Sequence, residues 1–252
     1  MFEITAIPAF RDNYIWGLCR NGRAVVVDPG DAAPVLDWLA SGALALEAIL
    51  ITHHHQDHQG GVPGLLERHP GLQVFGPGAE SITGLNHPLA GGEMIPVLDT
   101  PVAVWSVPGH TCGHLAYLAE DALFCGDTLF GAGCGRLFEG TPAQMFQAME
   151  RIAALPDSTR IFCAHEYTLL NLPFAALVEP ENPAIRARVA ESEALRLAGR
   201  ATVPSSLALE KATNPFLRSH EPAVQARVRE RQPQASTAEA VFAVLRAWRD
   251  EF

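Results

Sequence analysis

The stretch Thr52-His53-His54-His55-Gln56-Asp57-His58 restricts what this chain can fold into more than any other, because it follows directly on the apolar run Ala48-Ile49-Leu50-Ile51. A short apolar run that stops abruptly at polar residues reads as a buried strand. The histidines then occupy the loop at its carboxyl end, where α/β sheets place their ligand sites. With that loop extended at its start, His53 and His55 point to one side and His54 to the other, since side chains alternate. Asp57 and His58 begin the turn into the Gly60-Gly61 helix start and can face a second ion. Imidazole nitrogen and carboxylate oxygen suit zinc, iron or manganese.

A solvated polar turn is the ordinary reading of an isolated histidine such as His69 or His87. Here three further candidates share the same local signature, each at the end of an apolar strand. They are His110 in Pro108-Gly109-His110-Thr111, Asp127 after Leu123-Phe124-Cys125-Gly126, and His165 after Ile161-Phe162-Cys163-Ala164. Burying one such group without a partner costs several kcal/mol, about 2 to 7 for a neutral polar group and more for a charge, and shared ions are what make burying all of them reasonable.

The formal net charge of -10 and the single lysine, Lys211, argue against nucleic-acid binding, which needs concentrated Lys and Arg. The imbalance is local: residues 1–165 hold 7 basic and 17 acidic side chains, whereas residues 166–252 hold 11 of each. No apolar stretch reaches the roughly 18 residues of a membrane span, and the start MFEITAIPAF lacks a leader pattern, so a cytoplasmic protein is expected; a monomer is the default expectation, which no motif carries. The five cysteines, Cys19, Cys112, Cys125, Cys134 and Cys163, include no C-x-x-C pair and read as small, mostly buried hydrophobes.

Strand signals recur at Phe2 to Ile7, Tyr14 to Cys19, Ala24 to Asp28, Ala48 to Thr52, Leu72 to Phe75, Val102 to Val107, His114 to Ala119 and Ile161 to Ala164. Helical patterns cover Ala32 to Leu39, Gly61 to His69 and Pro142 to Leu155. The last of these has Thr141 as cap, Pro142 at the first position and Gln144 completing a capping box. Strands mixed with helices imply an α/β domain. After Tyr167 the pattern turns helical. Ile185, Val189 and Leu195 share one face, and Val241, Leu245, Trp248 and Phe252 form a stripe behind a possible Ser236/Glu239 capping box. Residues 1–168 are therefore expected to form an α/β domain and 169–252 a small helical one.

The T-H-x-H-x-D-H run, the P-G-H-T-x-G-H segment at 108–114, the G-D-T-L-F-x-x-G-C-G-R stretch at 126–136 and Ala164-His165-Glu166-Tyr167-Thr168 resemble, in this order, the metallo-β-lactamase superfamily and within it the glyoxalase II family. The likeness extends from Ile7-Pro8-Ala9-Phe10 through Asp28-Pro29-Gly30-Asp31 to Asn214-Pro215-Phe216-Leu217-Arg218. It implies an αββα sandwich followed by a small α-helical C-terminal domain. It also implies two divalent metal ions, zinc first and iron or manganese as alternatives. Carried over residue by residue, the family pattern puts His53, His55 and His110 on one ion and Asp57, His58 and His165 on the other, with Asp127 bridging. His54 has no ligand role in it, and His114 is assigned a supporting one.

The activity implied is hydrolysis of S-D-lactoylglutathione, a small glutathione thioester, to glutathione and D-lactate by hydroxide held between the ions, with Asp57 orienting the attack. The resemblance places Arg136, Tyr167 and Arg218 on glutathione, whose carboxylates an arginine can grip through two hydrogen bonds. Phe138 and Glu221 depart from the eukaryotic pattern of tyrosine and lysine, so His220 or another basic residue must substitute there, or the grip lies elsewhere. Another hydrolase of the superfamily with a different substrate is the competing expectation, and a closed structural metal module is the non-enzymatic one.

Overall fold

The computed structural model describes residues 3–252, so Phe2 of the first expected strand lies outside the described residues. The chain forms two compact units, one running to Val107 with Gly113–Gly126 added, the other made of Pro108–Cys112 and Asp127–Phe252.

The first unit opens with β1 (Glu3–Ala9), β2 (Asn13–Arg20) and β3 (Arg23–Val27), then α1 (Ala32–Gly42), β4 (Ala45–Leu50), α2 (Gln56–Gln59), α3 (Val62–Arg68), β5 (Gln73–Pro77) and β6 (His87–Leu89). These strands form one sheet in the order β1-β2-β3-β4-β5-β6, antiparallel as far as β3 and parallel beyond it. The β2–β3 hairpin closes through Asn21-Gly22, both at positive φ, which is the chemistry a two-residue hairpin loop demands. A parallel neighbour needs a crossover. Here α1 supplies it, capped by Asp31, whose carboxylate accepts from the Ala33 N–H.

An antiparallel meander completes the unit: β7 (Met94–Val97), β8 (Thr100–Ser106), β9 (Leu115–Ala119) and β10 (Ala122–Gly126). It is tied to the end of β4 by the Leu115 N–H on Thr52 O (2.8 Å) and the Tyr117 hydroxyl on Ile51 O (2.7 Å). Val35, Leu39, Ile49, Ile51, Val62, Leu65 and Val74 form the core beneath α1 and α3. The strands β6 and β7 have no counterpart among the expected ones, because each is short and carries a proline that weakens the strand signal.

The second unit contains β11 (Leu129–Phe130), β12 (Gly133–Cys134), α4 (Pro142–Ala153), β13 (Arg160–Cys163), α5 (Thr168–Val178), α6 (Pro183–Leu197), β14 (Ser205–Ser206), α7 (Leu207–Thr213), a 3-10 turn (Pro215–Leu217), α8 (Pro222–Arg231) and α9 (Ala238–Glu251). Helix α4 starts at the expected capping box, with the Gln144 N–H on Thr141 Oγ1 and the Thr141 N–H on Gln144 Oε1. Helix α9 is capped by Thr237 rather than Ser236, one residue later than expected. The adjacent hydroxyls compete for the same role, and the later start leaves Glu239 in the first turn, where an acid suits the helix dipole. Val241, Leu245 and Trp248 are buried as the stripe requires, while Phe252 is 55% exposed.

Candidate metal centre

In the first unit the geometry starts from Asp28, just past β3 at φ 53°. The parallel register sets Val27 against Leu50, so the next residues of the two strands meet, and the Asp28 N–H donates to Leu50 O (2.9 Å). The buried Asp28 carboxylate accepts from the Thr52 N–H (2.7 Å), the Thr52 hydroxyl (2.7 Å) and His58 Nδ1 (2.9 Å). With its proton committed to Asp28, the Thr52 hydroxyl accepts from His53 Nδ1 at 3.0 Å. These bonds select tautomers: His53 and His58 each carry hydrogen on Nδ1 and the lone pair on Nε2.

His53 Nε2 lies 3.0 Å from His55 Nδ1, and His58 Nε2 lies 3.5 Å from Asp57 Oδ2. Asn13 Nδ2 donates to the same Asp57 oxygen at 3.0 Å. Imidazole nitrogens this close, with a carboxylate near them, are a donor set that suits a cation. His54 is turned elsewhere, its Nδ1 and backbone N–H both on Glu80 Oε2 (2.9 and 2.7 Å). His114, fully buried, stacks on the His53 ring at 4.7 Å. The approach of the two loops is tight, since a Cβ on Gly30 would come within 1.9 Å of Asp57 O.

In the second unit His110 Nδ1 donates to Arg136 O (2.8 Å), which again puts the lone pair on Nε2, 3.4 Å from Asp127 Oδ2. His165 Nε2 lies 3.4 Å from Asp127 Oδ1, so one carboxylate faces two imidazoles through its two oxygens. All three residues are buried. The set has the composition of a hydrolytic metal site, nitrogen and carboxylate donors oriented from behind by hydrogen bonds. Donor clusters of this kind indicate a binuclear metal site.

A cavity of about 320 Å³ opens beside His110 and Asp127, lined by Phe130, Arg136, Tyr167, Asn171, Arg246 and Arg249 among others. Tyr167 stacks on His165 at 4.6 Å and meets the Phe130 edge at 5.2 Å. Arg246 Nη1 donates to Cys134 O (2.9 Å) and Gly135 O (3.3 Å) and its Nη2 to Asp250, while Arg136 Nε reaches the same Asp250 oxygen. Arg249 Nη2 touches Leu170 O and Asn171 Oδ1. Burial, then the nearby Arg246, hold the Arg249 pKa below its ordinary value, with Arg136 adding to the effect. Three guanidiniums thus line this cavity, two of them paired with Asp250.

Arg136 and Tyr167 thus line this cavity, but Arg218 does not. Its Nε and Nη2 form a bidentate pair with Glu179 (2.7 and 2.9 Å), and it lines a separate cavity with Pro183, Ala223 and Arg227. The Arg218 fork is matched to a carboxylate on one face, and its Nη1 donates to Lys211 O. Glu221, which borders α8 and faces His220, does not line this cavity, whose cations are Arg136 and, from α9, Arg246 and Arg249. Phe138 lines the cavity with its ring edge towards His110 (5.3 Å).

Sequence reasoning missed Asp28, Arg246 and Arg249. Asp28 carries the signature that singled out the other donors, an acid at the end of an apolar strand. Arg246 and Arg249, three residues apart on the last helix, have only the mark of a basic helix end. Of the cysteines, Cys125, Cys134 and Cys163 are buried, Cys19 is partly covered and Cys112 is exposed. Burial and the neighbouring Glu210 push the Cys163 thiol up to about 12, so it is no thiolate at neutral pH.

Two family models match the chain: Metallo-beta-lactamase superfamily over residues 11–165 and Hydroxyacylglutathione hydrolase C-terminus over residues 166–252. Relatives called hydroxyacylglutathione hydrolase include one from Dechloromonas aromatica, 58% identical, and one from Ectopseudomonas mendocina, 54% identical, each aligned over 100% of both chains. Among solved structures, ETHE1 from Myxococcus xanthus superposes with a TM-score of 0.66 at 23% identity, covering 99% of this chain and 98% of its own. A di-iron-bound form of TTHA1623 superposes with a TM-score of 0.60 at 24% identity, covering 85% and 100%. The fold is the metallo-β-lactamase fold with a helical C-terminal region.

Proposed function

The chain belongs to the hydroxyacylglutathione hydrolases of the metallo-β-lactamase superfamily, and on that premise we propose that it hydrolyses S-D-lactoylglutathione to glutathione and D-lactate. The observation that carries the substrate reading is the Arg136, Arg246 and Arg249 cluster in the cavity beside His110 and Asp127, since glutathione presents carboxylates and the thioester must lie near the donors. We assign His53, His55 and His110 to one ion and Asp57, His58 and His165 to the other, with Asp127 shared; the assignment follows the family pattern and agrees with the tautomers that Thr52, Asp28 and Arg136 O impose. Zinc is the expected ion, and the five free thiols suit a reducing, cytoplasmic setting.

When bound, two divalent ions supply acidified water as nucleophile at neutral pH and positive charge for the thioester oxygen as it becomes negative. The chain's own residues do the rest. Asp57, steadied by Asn13, accepts a hydrogen bond from the attacking water and aims it. The arginines and Tyr167 fix the glutathione end, so the carbonyl is held and the reaction becomes effectively unimolecular. The departing thiolate, conjugate to a thiol of pKa about 8.5, needs no strong acid. No protein nucleophile enters.

The test compares S-D-lactoylglutathione with a simple acyl thioester lacking glutathione. Losing two charge-assisted contacts is expected to lower kcat/KM about a hundredfold or more. Equal values for the two substrates would remove the glutathione assignment.

Asp28 supports the donors from behind. In Asp28→Asn an amide nitrogen replaces one oxygen and confronts Thr52 or His58, both of which donate there. Metal affinity measured by chelator competition is expected to fall about 10- to 100-fold. An unchanged affinity in a folded variant would show that Asp28 does not orient His58.

A further inference from the structure

The hairpin of β11 and β12 follows Asp127 directly and ends at the carbonyls that seat Arg246. Its strands pair Leu129 with Cys134 and Phe130 with Gly133, leaving Gly131 and Ala132 as the turn. The glycines have no room for a side chain: a Cβ on Gly131 would meet Thr168 Oγ1 at 2.1 Å, and one on Gly133 would meet Asn171 Nδ2 at 2.4 Å. Ala132 stands at φ 55°, a left-handed conformation that a non-glycine residue keeps only when its surroundings impose it.

What imposes it is a buried set of side chains from the helical region. Asn214 Nδ2 donates to Phe130 O (3.2 Å) and Gly133 O (2.9 Å), Asn171 Nδ2 donates to Gly131 O (3.0 Å), and the Ala132 N–H donates to Glu210 Oε2 (2.9 Å). Every residue from Phe130 to Gly133 is thus held by a side chain. Glu210, fully buried, is the anchor: it also accepts from Asn214 Nδ2, Ser205 Oγ and Arg188 Nη2, and Arg188 in turn donates to Thr213 Oγ1. Four donors to one dry carboxylate exceed what joining α6 to α7 requires, and two of them, Ala132 and Asn214, lead to the hairpin.

We propose that Glu210 is a positioning residue for the reaction, holding the hairpin tip so that Asp127 at one end and the Cys134 and Gly135 carbonyls that seat Arg246 at the other keep their places. This rests on the reading above, in which Asp127 binds metal and Arg246 binds glutathione. The hydrogen bonds of Glu210 to Ala132, Arg188, Ser205 and Asn214 do not go to either end, so its influence runs through the hairpin backbone. Gly135 N–H on Thr128 O (3.2 Å) closes the loop and transmits a shift at the tip to both.

The test uses the metal-loaded enzyme and two variants. In Glu210→Gln one oxygen becomes a donor facing donors, and Arg188 loses its counter-charge. The double variant R188M/E210M removes the buried pair together, which restores packing without an unpaired charge but leaves Ala132 N–H with no acceptor. Both are expected to bind glutathione, measured calorimetrically, about tenfold more weakly, and to lose metal to a chelator about tenfold more readily. A role confined to stability would instead be repaired in the double variant, and a folded double variant with both affinities unchanged would overturn the proposal. Independently of any variant, the Ala132 amide in the native enzyme should exchange hydrogen as slowly as core amides; exchange at the rate of an open loop would overturn it too. Arg246→Ala separates the two readings: if it leaves glutathione affinity intact, the substrate assignment is what fails.

Discussion

Removal of divalent metal is expected to abolish thioester hydrolysis, by about a thousandfold or more, while leaving the fold in place. The magnitude follows from the chemistry: without the ions, water must attack at its bulk acidity and the oxyanion must form without a counter-charge, each worth several kcal/mol. The fold should survive because the donors hang from strands whose cores, around Ile49, Ile51 and Val74 in the first unit, are apolar and independent of the ions. The experiment is exhaustive chelation with metal analysis, circular dichroism to follow the fold, and reconstitution with zinc, iron and manganese in turn. Full activity after verified removal would refute the mechanism, and the ion that restores turnover at stoichiometric addition identifies the working metal.

The second large effect concerns the grip on glutathione. Arg249→Ala should raise KM for S-D-lactoylglutathione about tenfold, and R246A/R249A about a hundredfold, with a smaller change in kcat. Hydrolysis of a thioester lacking glutathione should be unaffected by Arg249→Ala, since that residue has nothing to contact on it. Arg246→Lys keeps the charge but loses the fork that spans Cys134 O and Gly135 O, so it should not restore binding. Arg218→Ala supplies the contrast. Breaking its bidentate pair with the buried Glu179 leaves a desolvated carboxylate, which costs stability rather than affinity, so the melting temperature should fall and KM should not move. If instead Arg218→Ala raises KM and R246A/R249A does not, the cation assignment made from the cavity is reversed.

Much of the metal chemistry was legible before any coordinates. His53, His55, Asp57, His58, His110, Asp127 and His165 each close an apolar run or the loop after one, and burying polar groups at several strand ends in one chain demands a common purpose. The alternation that separates His54 from its neighbours was readable too, and His54 is found on Glu80. Short strands with prolines were not readable, because their signal is indistinguishable from loop. Asp28 was within reach of the same reasoning and was passed over, its strand-end position being masked by the turn residues Pro29 and Gly30.

The arginines mark where reading by residue type gives out. Arg218 and Arg246 are both arginines in helical surroundings near the end of the chain, and nothing local distinguishes them. One meets Glu179, 39 residues away; the other meets the carbonyl of Cys134, 112 residues away. The sequence by itself determined which chemistry the chain carries, since donors at strand ends follow from periodicity and burial, which are local. Only the tertiary structure decided which cation faces the cavity, which carboxylate orients His58 and which side chain holds the Ala132 turn. These depend on where distant segments meet, and the loops between them record no trace of that in their own composition.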